Sequence, residues 1–140
     1  MRWRYATKKF DPQRLVDETV VDELLEITNL TPTSYGLQPF KFVVLKNQEL
    51  QDQLITSSYG QRQVADASHV LIIAARTDVD ANYIREYVAM VESQRELAEG
   101  TMQEYCQVMI GSMTRMSPES LNHWAAKQAY IALGTVMAAC

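Results

Sequence analysis

The fold of this chain is decided at residues 31–46. They read Thr31-Pro32-Thr33-Ser34-Tyr35-Gly36-Leu37-Gln38-Pro39-Phe40-Lys41-Phe42-Val43-Val44-Leu45-Lys46. A proline soon after a helical pattern ends the helix, and Gly36 tolerates backbone angles that residues with a Cβ avoid. Pro39 suits the first position of a strand, which the following β-branched and aromatic residues predict. We expect a tight corner at residues 31–39, lined with hydroxyls and backbone N–H groups. It is either an ordinary connection or a site for a polar ligand.

Two helices flank this stretch. Asp17 is the predicted N-cap of the first, because apolar residues recur behind it at helical spacing. Asn47 is the predicted cap of the second. We expect the inner face of the second helix to carry Leu50, Leu54 and Ile55.

The later part of the chain predicts one strand and three helices. The apolar run at 69–75 indicates a strand covered on both faces. The pattern from 78 to about 113 is helical with a break near Gly100, and its methionines suit core or interface packing. Ser117 and Pro118 begin a last helix. Its many small residues would let another helix approach closely, so we expect it to be central.

Composition limits the class of protein. A chain of 140 residues that is 47% apolar suits one domain with its own core. A net charge of −4 argues against nucleic acid as the main partner. No apolar run has the length of a membrane span, and the two cysteines form no disulfide or metal motif. No apolar segment follows the basic N-terminus, so we expect a cytoplasmic protein.

The N-terminal segment 2–10 is basic within this acidic chain. It carries four cations in nine positions, interleaved with aromatic residues. Several cations on one short segment can hold a phosphate. The residues alone leave two interpretations open, an anion site and a solvated basic arm.

Familiar catalytic motifs are missing from the sequence. It has no GxGxxG after a strand, no P-loop, no HExxH and no GxSxG. Neither His69 nor His123 has an evident serine, cysteine or carboxylate partner in the sequence, and a general base needs a positioned partner. We therefore predict no catalytic side chain and no metal site.

Four blocks occur in order along the chain: Arg4–Phe10, Thr31–Phe40, Val64–Val70 and Trp124–Gly134. The first looks like Arg-x-(Ser/Ala)-x-(Arg/Lys)-x-Phe and the second like Ala-Pro-Ser-Ser-x-x-x-Gln-Pro-Trp. Together they resemble the nitroreductase family of FMN-dependent, NAD(P)H-oxidising flavoproteins, especially its oxygen-insensitive nitroreductase and dihydropteridine reductase branch. One block alone is weak evidence for the family, whereas four blocks in the family order are fairly specific evidence.

The resemblance implies an α+β fold, with a mixed sheet flanked by helices, in a homodimer that shares both active sites. Residues 1–140 would form a single FMN-binding domain, with the C-terminal part of the family fold missing after Cys140. The implied reaction passes a hydride from NAD(P)H through flavin N5 to a nitroaromatic, quinone or similar small-molecule acceptor, by a ping-pong mechanism. The alternatives are a non-catalytic flavin-binding module and a cofactor-free helical dimerisation domain.

The resemblance also implies roles for residues of the N-terminal block. Arg4, with the backbone of Tyr5 and Ala6, would hold the FMN phosphate and ribityl chain. Lys8 would lie at the flavin edge that gains negative charge on reduction.

The corner would meet the flavin of the partner subunit. The residues that match the family motif there are Pro32, Thr33, Ser34 and Gly36.

The chain departs from the family pattern at several places. Gly60 stands where the family often has a flavin-contacting Asn, so that contact is lost or passes to Gln61. Gln63 stands where some relatives have Lys, and Phe40 replaces a Trp. The basic pair and the backbone N–H that the later part of the family fold supplies have no counterpart here, which predicts reduced FMN affinity.

Overall fold

The computed structural model describes residues 5–140, and Arg4 lies outside that range. The elements, in chain order, are α1 (Glu18–Asn29), a 3-10 turn (Ser34–Gly36), β1 (Phe40–Leu45), α2 (Gln48–Ser57), α3 (Gln63–Asp66), β2 (Val70–Ala75), α4 (Ala81–Gln94), α5 (Gln103–Thr114) and α6 (Pro118–Ala139). This is a helix-rich α+β fold with a small sheet, as the sequence predicts.

The sheet consists of β1 and β2. The Arg76 N–H donates to the Pro39 carbonyl at 2.9 Å, which joins the end of β2 to the start of β1, so the strands run antiparallel. No residue of β2 is fully buried, and Ile72 is 37% exposed. The expectation of a strand covered on both faces is therefore wrong for the described residues, because too few elements lie against this two-stranded sheet.

Side-chain caps begin the helices where the sequence predicts them. Asp17 Oδ1 accepts the Thr19 N–H at 2.9 Å at the start of α1. Asn47 Oδ1 accepts the Leu50 N–H at 3.0 Å at the start of α2. The Ser117 hydroxyl accepts an N–H in the first turn of α6 at 3.2 Å. These local bonds satisfy N–H groups that a helix leaves unpaired at its first turn.

The inner face of α2 differs from the prediction at one position. Leu50 is 48% exposed, whereas Gln51 is 2% exposed. Leu54 and Ile55 are half-buried, as expected. A glutamine can occupy the buried position because carbonyl oxygens of the α3 turn accept its amide hydrogens at 3.2 and 2.9 Å.

The chain divides into two compact units. Within the described range, the first comprises residues 5–30, 42–74 and 133–140, and the second residues 31–41 and 75–132. The first contains α1, α2, α3 and most of the sheet. The second contains the corner, α4, α5 and most of α6, and its core consists of Leu37, Ile84, Val88, Cys106, Met109 and Met113. The methionines of α5 are thus core residues, and the single domain expected for residues 1–140 stays a prediction.

The break between α4 and α5 spans residues 95–102, around the predicted Gly100. It is closed by Glu92, which is 6% exposed. The Glu92 carboxylate accepts the N–H of Gly100 at 3.1 Å and that of Met102 at 2.6 Å. Across residues 5–140, every helix is too short or too polar to cross a lipid bilayer, and this same range offers no cluster of three metal-binding side chains.

Candidate functional site

The corner has an unusual backbone. Three of its residues have positive φ: Tyr35 at 59°, Gly36 at 71° and Gln38 at 43°. Glycine adopts these angles freely, but each residue with a Cβ pays about 1–2 kcal/mol in the left-handed region. Such strain persists only where surrounding contacts hold the backbone in that conformation.

Tyrosine hydroxyls supply part of that restraint. Tyr83 on α4 donates to the Leu37 carbonyl at 2.6 Å, and Tyr87, one turn further on, donates to the Tyr35 carbonyl at 3.2 Å. The Tyr35 hydroxyl itself donates to Ser112 on α5 at 2.9 Å. Burial is the main cause that raises the pKa of both Tyr83 and Tyr87, so both hydroxyls stay protonated donors at neutral pH.

An ion pair supports the Tyr83 ring. The Arg76 guanidinium donates two hydrogen bonds to Asp78, at 2.9 and 2.7 Å, and its central carbon lies 4.4 Å from the centroid of Tyr83. The hydrogen bonds from Arg76 are the main cause that lowers the pKa of Asp78. The bidentate pair therefore holds the cation over the ring that anchors the corner.

Gln128 restrains the other side of the corner. It lies on α6, is 6% exposed, and accepts the Ser34 N–H at its Oε1 atom at 2.9 Å. Its Nε2 donates to the Trp124 carbonyl at 3.3 Å. Both ends of this buried amide are thus satisfied.

The corner also bonds to itself. Thr33 accepts twice, from the Gly36 N–H at its carbonyl at 2.9 Å and from the Gln38 N–H at its hydroxyl at 3.1 Å. The Leu37 N–H donates to the Ser34 carbonyl at 3.2 Å.

These hydrogen bonds reduce the number of backbone N–H groups that the corner can offer to a ligand. Four of its N–H groups already have acceptors within the chain, including the Ser34 N–H that Gln128 binds. Two donors remain. The Ser34 hydroxyl has no partner in the part of the chain that the structure describes, and the Thr33 hydroxyl accepts a bond and still has its hydrogen to give. Pro32 is exposed beside them.

The first unit carries Gly60, Gln61 and Gln63 after α2. Gly60 has a φ of 72°, and its N–H donates to the Ile55 carbonyl at 2.9 Å to close the helix. Among residues 5–140, no atom beyond the chain neighbours of Gly60 lies within 4 Å of where its Cβ would stand. Gln61 is exposed and Gln63 half-buried. The chain thus leaves open space at the position of the family asparagine.

Two glutamines of α2 hold the α3 turn that follows. Gln51 Nε2 donates to the carbonyls of Val64 and Ala67 at 3.2 and 2.9 Å. Gln48 Nε2 donates to the Ala65 carbonyl at 3.0 Å. These bonds position the residues directly after Gly60–Gln63.

The N-terminal segment is described from Tyr5 onward. Tyr5 is 75% exposed, and Ala6 and Lys8 are exposed too. Lys8 forms no ion pair with any residue from 5 to 140. No hydrogen bond within that range joins this segment to Gly60–Gln63. The described contacts thus bring together the corner residues, and leave Lys8 as a free cation.

His69 has partners that sequence reasoning missed. Its Nδ1 lies 2.8 Å from the Ser68 hydroxyl and its Nε2 lies 3.3 Å from Glu18 Oε1. The Ser68 hydroxyl accepts the Val16 N–H at 2.8 Å, and Lys46 Nζ lies 2.9 Å from the same Glu18 oxygen. The Lys46 bond, followed by the His69 bond, lowers the pKa of Glu18. The sequence prediction missed Glu18 because it lies 51 residues away along the chain. Ser68 directly precedes His69, so the expectation of no evident serine partner was wrong.

This network borders a cavity of about 660 Å³ in the first unit. Its lining is mainly apolar and includes residues of α1 and of both strands, and Lys9 and Arg14 are among its charged members. Both neighbours of the His69 ring are already hydrogen-bonded to other groups, so the network ties residue 16 and α1 to the start of β2.

Sequence reasoning also missed the restraints on the corner. Tyr83 and Tyr87 lie four residues apart, so they share one face of α4. Gln128 stands among buried alanines of α6. A glutamine within an alanine stripe and a tyrosine pair on one helix face are the signals that point to buried polar contacts, although neither pattern identifies the partner.

Comparisons with known proteins agree with one another. The model of the Nitroreductase family matches residues 1–140. YfkO of Bacillus subtilis, named as a candidate NAD(P)H nitroreductase, is 37% identical over 144 residues, which cover 98% of this chain and 65% of YfkO. The structure of ydfN from Bacillus subtilis, named as a candidate nitroreductase, has a TM-score of 0.81 at 20% identity over 99% of this chain and 67% of ydfN. A candidate nitroreductase from Exiguobacterium sibiricum, solved in complex with FMN, has a TM-score of 0.78 at 18% identity over 97% of this chain and 65% of that protein. The chain thus spans about two thirds of the length of these relatives.

Proposed function

Because this chain belongs to the nitroreductase family, we propose that it binds FMN and passes a hydride from NAD(P)H to a nitroaromatic, quinone or similar small acceptor. The observation that carries this proposal is the family match over residues 1–140, which includes all four motif blocks. The naming of YfkO as a candidate NAD(P)H nitroreductase supports it. FMN, when bound, supplies the hydride chemistry at its N5 atom.

The donor groups of the described residues suit this cofactor. FMN carries a phosphate dianion and a ring edge that gains negative charge on reduction, and both favour cations and hydrogen-bond donors. Lys8 is an exposed cation without an ion pair among the described residues. The hydroxyls of Ser34 and Thr33 are donors on a rigid corner. The FMN complex of the Exiguobacterium protein, which shares the fold, is consistent with this choice.

Each group then has a distinct role in the proposal. Arg4, with the backbone of Tyr5 and Ala6, holds the phosphate and ribityl chain. Lys8 stabilises the negative charge of the reduced ring edge by electrostatic attraction. Gln63 is neutral where some relatives have a lysine, so this chain attracts that charge less strongly.

The corner acts in the partner subunit of a homodimer. Pro32 and Gly36 lie against the flavin there, while the hydroxyls of Thr33 and Ser34 donate to it. Because the corner backbone is restrained by tyrosine and glutamine side chains, these donors need little reorganisation on binding. The open space at Gly60 leaves room for Gln61 to approach the ring.

The proposal is tested by titrating the purified chain with FMN and recording the visible absorbance spectrum. We expect about one FMN per chain, followed by NAD(P)H oxidation when a nitroaromatic is added. FMN binding without NAD(P)H oxidation would indicate a flavin-binding module. A chain that neither binds FMN nor oxidises NAD(P)H would refute the proposal and favour the dimerisation domain.

Lysine variants test the site itself. Lys8→Ala should weaken FMN binding about tenfold, because it removes one charge-assisted contact. Lys9→Ala is the matched control, since the neighbouring lysine has no role in the motif and should leave the dissociation constant unchanged. Arg4→Ala should act like Lys8→Ala. If Arg4→Ala and Lys8→Ala both keep full flavin, the assignment of the cofactor site is wrong.

A further inference from the structure

We propose that Gln128 is a positioning residue, which fixes the conformation in which the corner presents the Ser34 and Thr33 hydroxyls to FMN. This inference rests on the proposed function. It adds a residue of α6 to a site otherwise assigned to the N-terminal block, the corner and Gly60–Gln63. Gln128 itself does not touch the cofactor, since its amide is engaged on both sides.

The burial of Gln128 requires an explanation. The inner stripe of α6 consists of small residues, with Ala125 and Ala132 at 0% exposure and Ala129 at 9%. A glutamine at 6% exposure in this stripe loses its bonds to water, which costs free energy unless protein groups replace them. The acceptor half of Gln128 is directed to the corner, and the donor half to its own helix.

The hydrogen bond from the Ser34 N–H to Gln128 lies next to the kink in the corner backbone. Ser34 directly precedes Tyr35, where φ turns to 59°. The tyrosine hydroxyls of α4 bind carbonyls at and beyond this kink, on Tyr35 and Leu37. Gln128 binds the N–H before the kink. Restraint from both sides sets the orientation of the Ser34 peptide, and therefore the point from which the Ser34 side chain projects.

The same bond also selects which donor a ligand meets. With its N–H engaged by Gln128, Ser34 has its hydroxyl left to give. Without Gln128 the N–H would be released and the turn could relax toward ordinary φ values. The corner would then have to be ordered again when FMN binds, and this ordering would weaken affinity.

Two variants of similar size separate these effects. Gln128→Leu removes the acceptor, whereas Gln128→Glu keeps an oxygen for the Ser34 N–H and loses the donor to the Trp124 carbonyl. Glu92→Gln is the matched control in the same unit, since it replaces one of the two oxygens that accept the N–H groups of the 95–102 break. If the leucine variant fails to fold, Gln128→Asn shortens the side chain and withdraws the acceptor while keeping the amide.

The first readout is amide hydrogen exchange at Ser34, measured by NMR without FMN. We expect Gln128→Leu to exchange at least about tenfold faster than wild type, because its N–H loses an acceptor. Gln128→Glu and Glu92→Gln should retain the protection. Unchanged exchange in Gln128→Leu would overturn the inference whatever the cofactor does.

The second readout is the dissociation constant for FMN, taken from flavin fluorescence. We expect Gln128→Leu to bind about tenfold more weakly, and Gln128→Glu and Glu92→Gln to stay within about threefold of wild type. Equal affinity in Gln128→Leu and wild type would overturn the positioning role and leave the proposed function intact. Equal loss in the Leu and Glu variants would overturn it too. A wild-type chain that binds no FMN would refute the proposed function itself.

Discussion

Replacing Gly36 with alanine would put a methyl group on a turn that tyrosine hydroxyls already restrain. Gly36 has a φ of 71°, and a Cβ there would lie 2.6 Å from the Tyr87 hydroxyl oxygen. That distance is well inside van der Waals contact, so the half-buried Tyr87 must move. Tyr87 then loses its hydrogen bond to the Tyr35 carbonyl.

The magnitude follows from three contributions. The left-handed backbone costs an alanine about 1–2 kcal/mol, and the lost hydrogen bond costs about 1 kcal/mol. Against these, alanine restricts the unfolded chain and stabilises by about 0.7 kcal/mol. We expect Gly36→Ala to lower the free energy of unfolding by about 2 kcal/mol.

Gly60→Ala is the matched control. Its φ of 72° imposes the same backbone cost, but the described residues place no atom within 4 Å of the new Cβ. We expect a loss of about 1 kcal/mol there. Tyr87→Phe combined with Gly36→Ala removes the hydroxyl that clashes, so the cost of the alanine should fall to the Gly60 value.

The assay is urea unfolding followed by far-UV circular dichroism. Both units contain helices, so this signal reports on Gly36 in the second unit and on Gly60 in the first. The reasoning is refuted if Gly36→Ala costs no more than Gly60→Ala. It is also refuted if Tyr87→Phe leaves the cost of Gly36→Ala unchanged.

Two further substitutions test other contacts of the fold. Gln51→Leu should lower the free energy of unfolding by about 2 kcal/mol, because two carbonyls of the α3 turn lose their donor. Gln53 is exposed on the same helix, and Gln53→Leu should change the free energy of unfolding by less than about 0.5 kcal/mol in the same urea assay. Asp78 has its pKa lowered by Arg76, so its stabilising effect is complete above the ordinary pKa of about 3.9 and is lost as pH falls through the lowered value. Urea unfolding from pH 6 to pH 2 should therefore show a steeper acid loss in wild type than in Asp78→Asn, and parallel curves would contradict this.

Much of the fold could be predicted because its signals are local. Asp17, Asn47 and Ser117 cap helices through bonds to N–H groups two or three residues away. Such caps can be predicted because the capping residue and its helix are neighbours in the sequence. The start of β1 behind Pro39 follows from the same kind of rule. The inner face of α2 was predicted wrongly at Leu50, because its neighbour Gln51 is buried by carbonyl acceptors that no local pattern reveals.

The sequence predicted which residues form the candidate site better than it predicted their hydrogen bonds. The motif resemblance identified the corner residues, and the structure showed that four of the corner N–H groups are already bonded. It also showed the Ser68 and Glu18 partners of His69. Glu18 lies 51 residues from His69, and the two segments meet only in the folded state.

The sequence by itself determined the family, the order of helices and strands, and the position of the corner. The family follows from short sequence motifs, and the elements and the corner follow from the conformational preferences of neighbouring residues. Only the tertiary structure decided which donors of the corner remain free. A tyrosine in the left-handed region contradicts local preference, and it persists because side chains from α4 and α6 hold its neighbours. The Ser34 N–H meets Gln128 across 94 residues and the Leu37 carbonyl meets Tyr83 across 46. Hydrogen bonds over such separations depend on packing, and packing is a property of the folded chain as a whole.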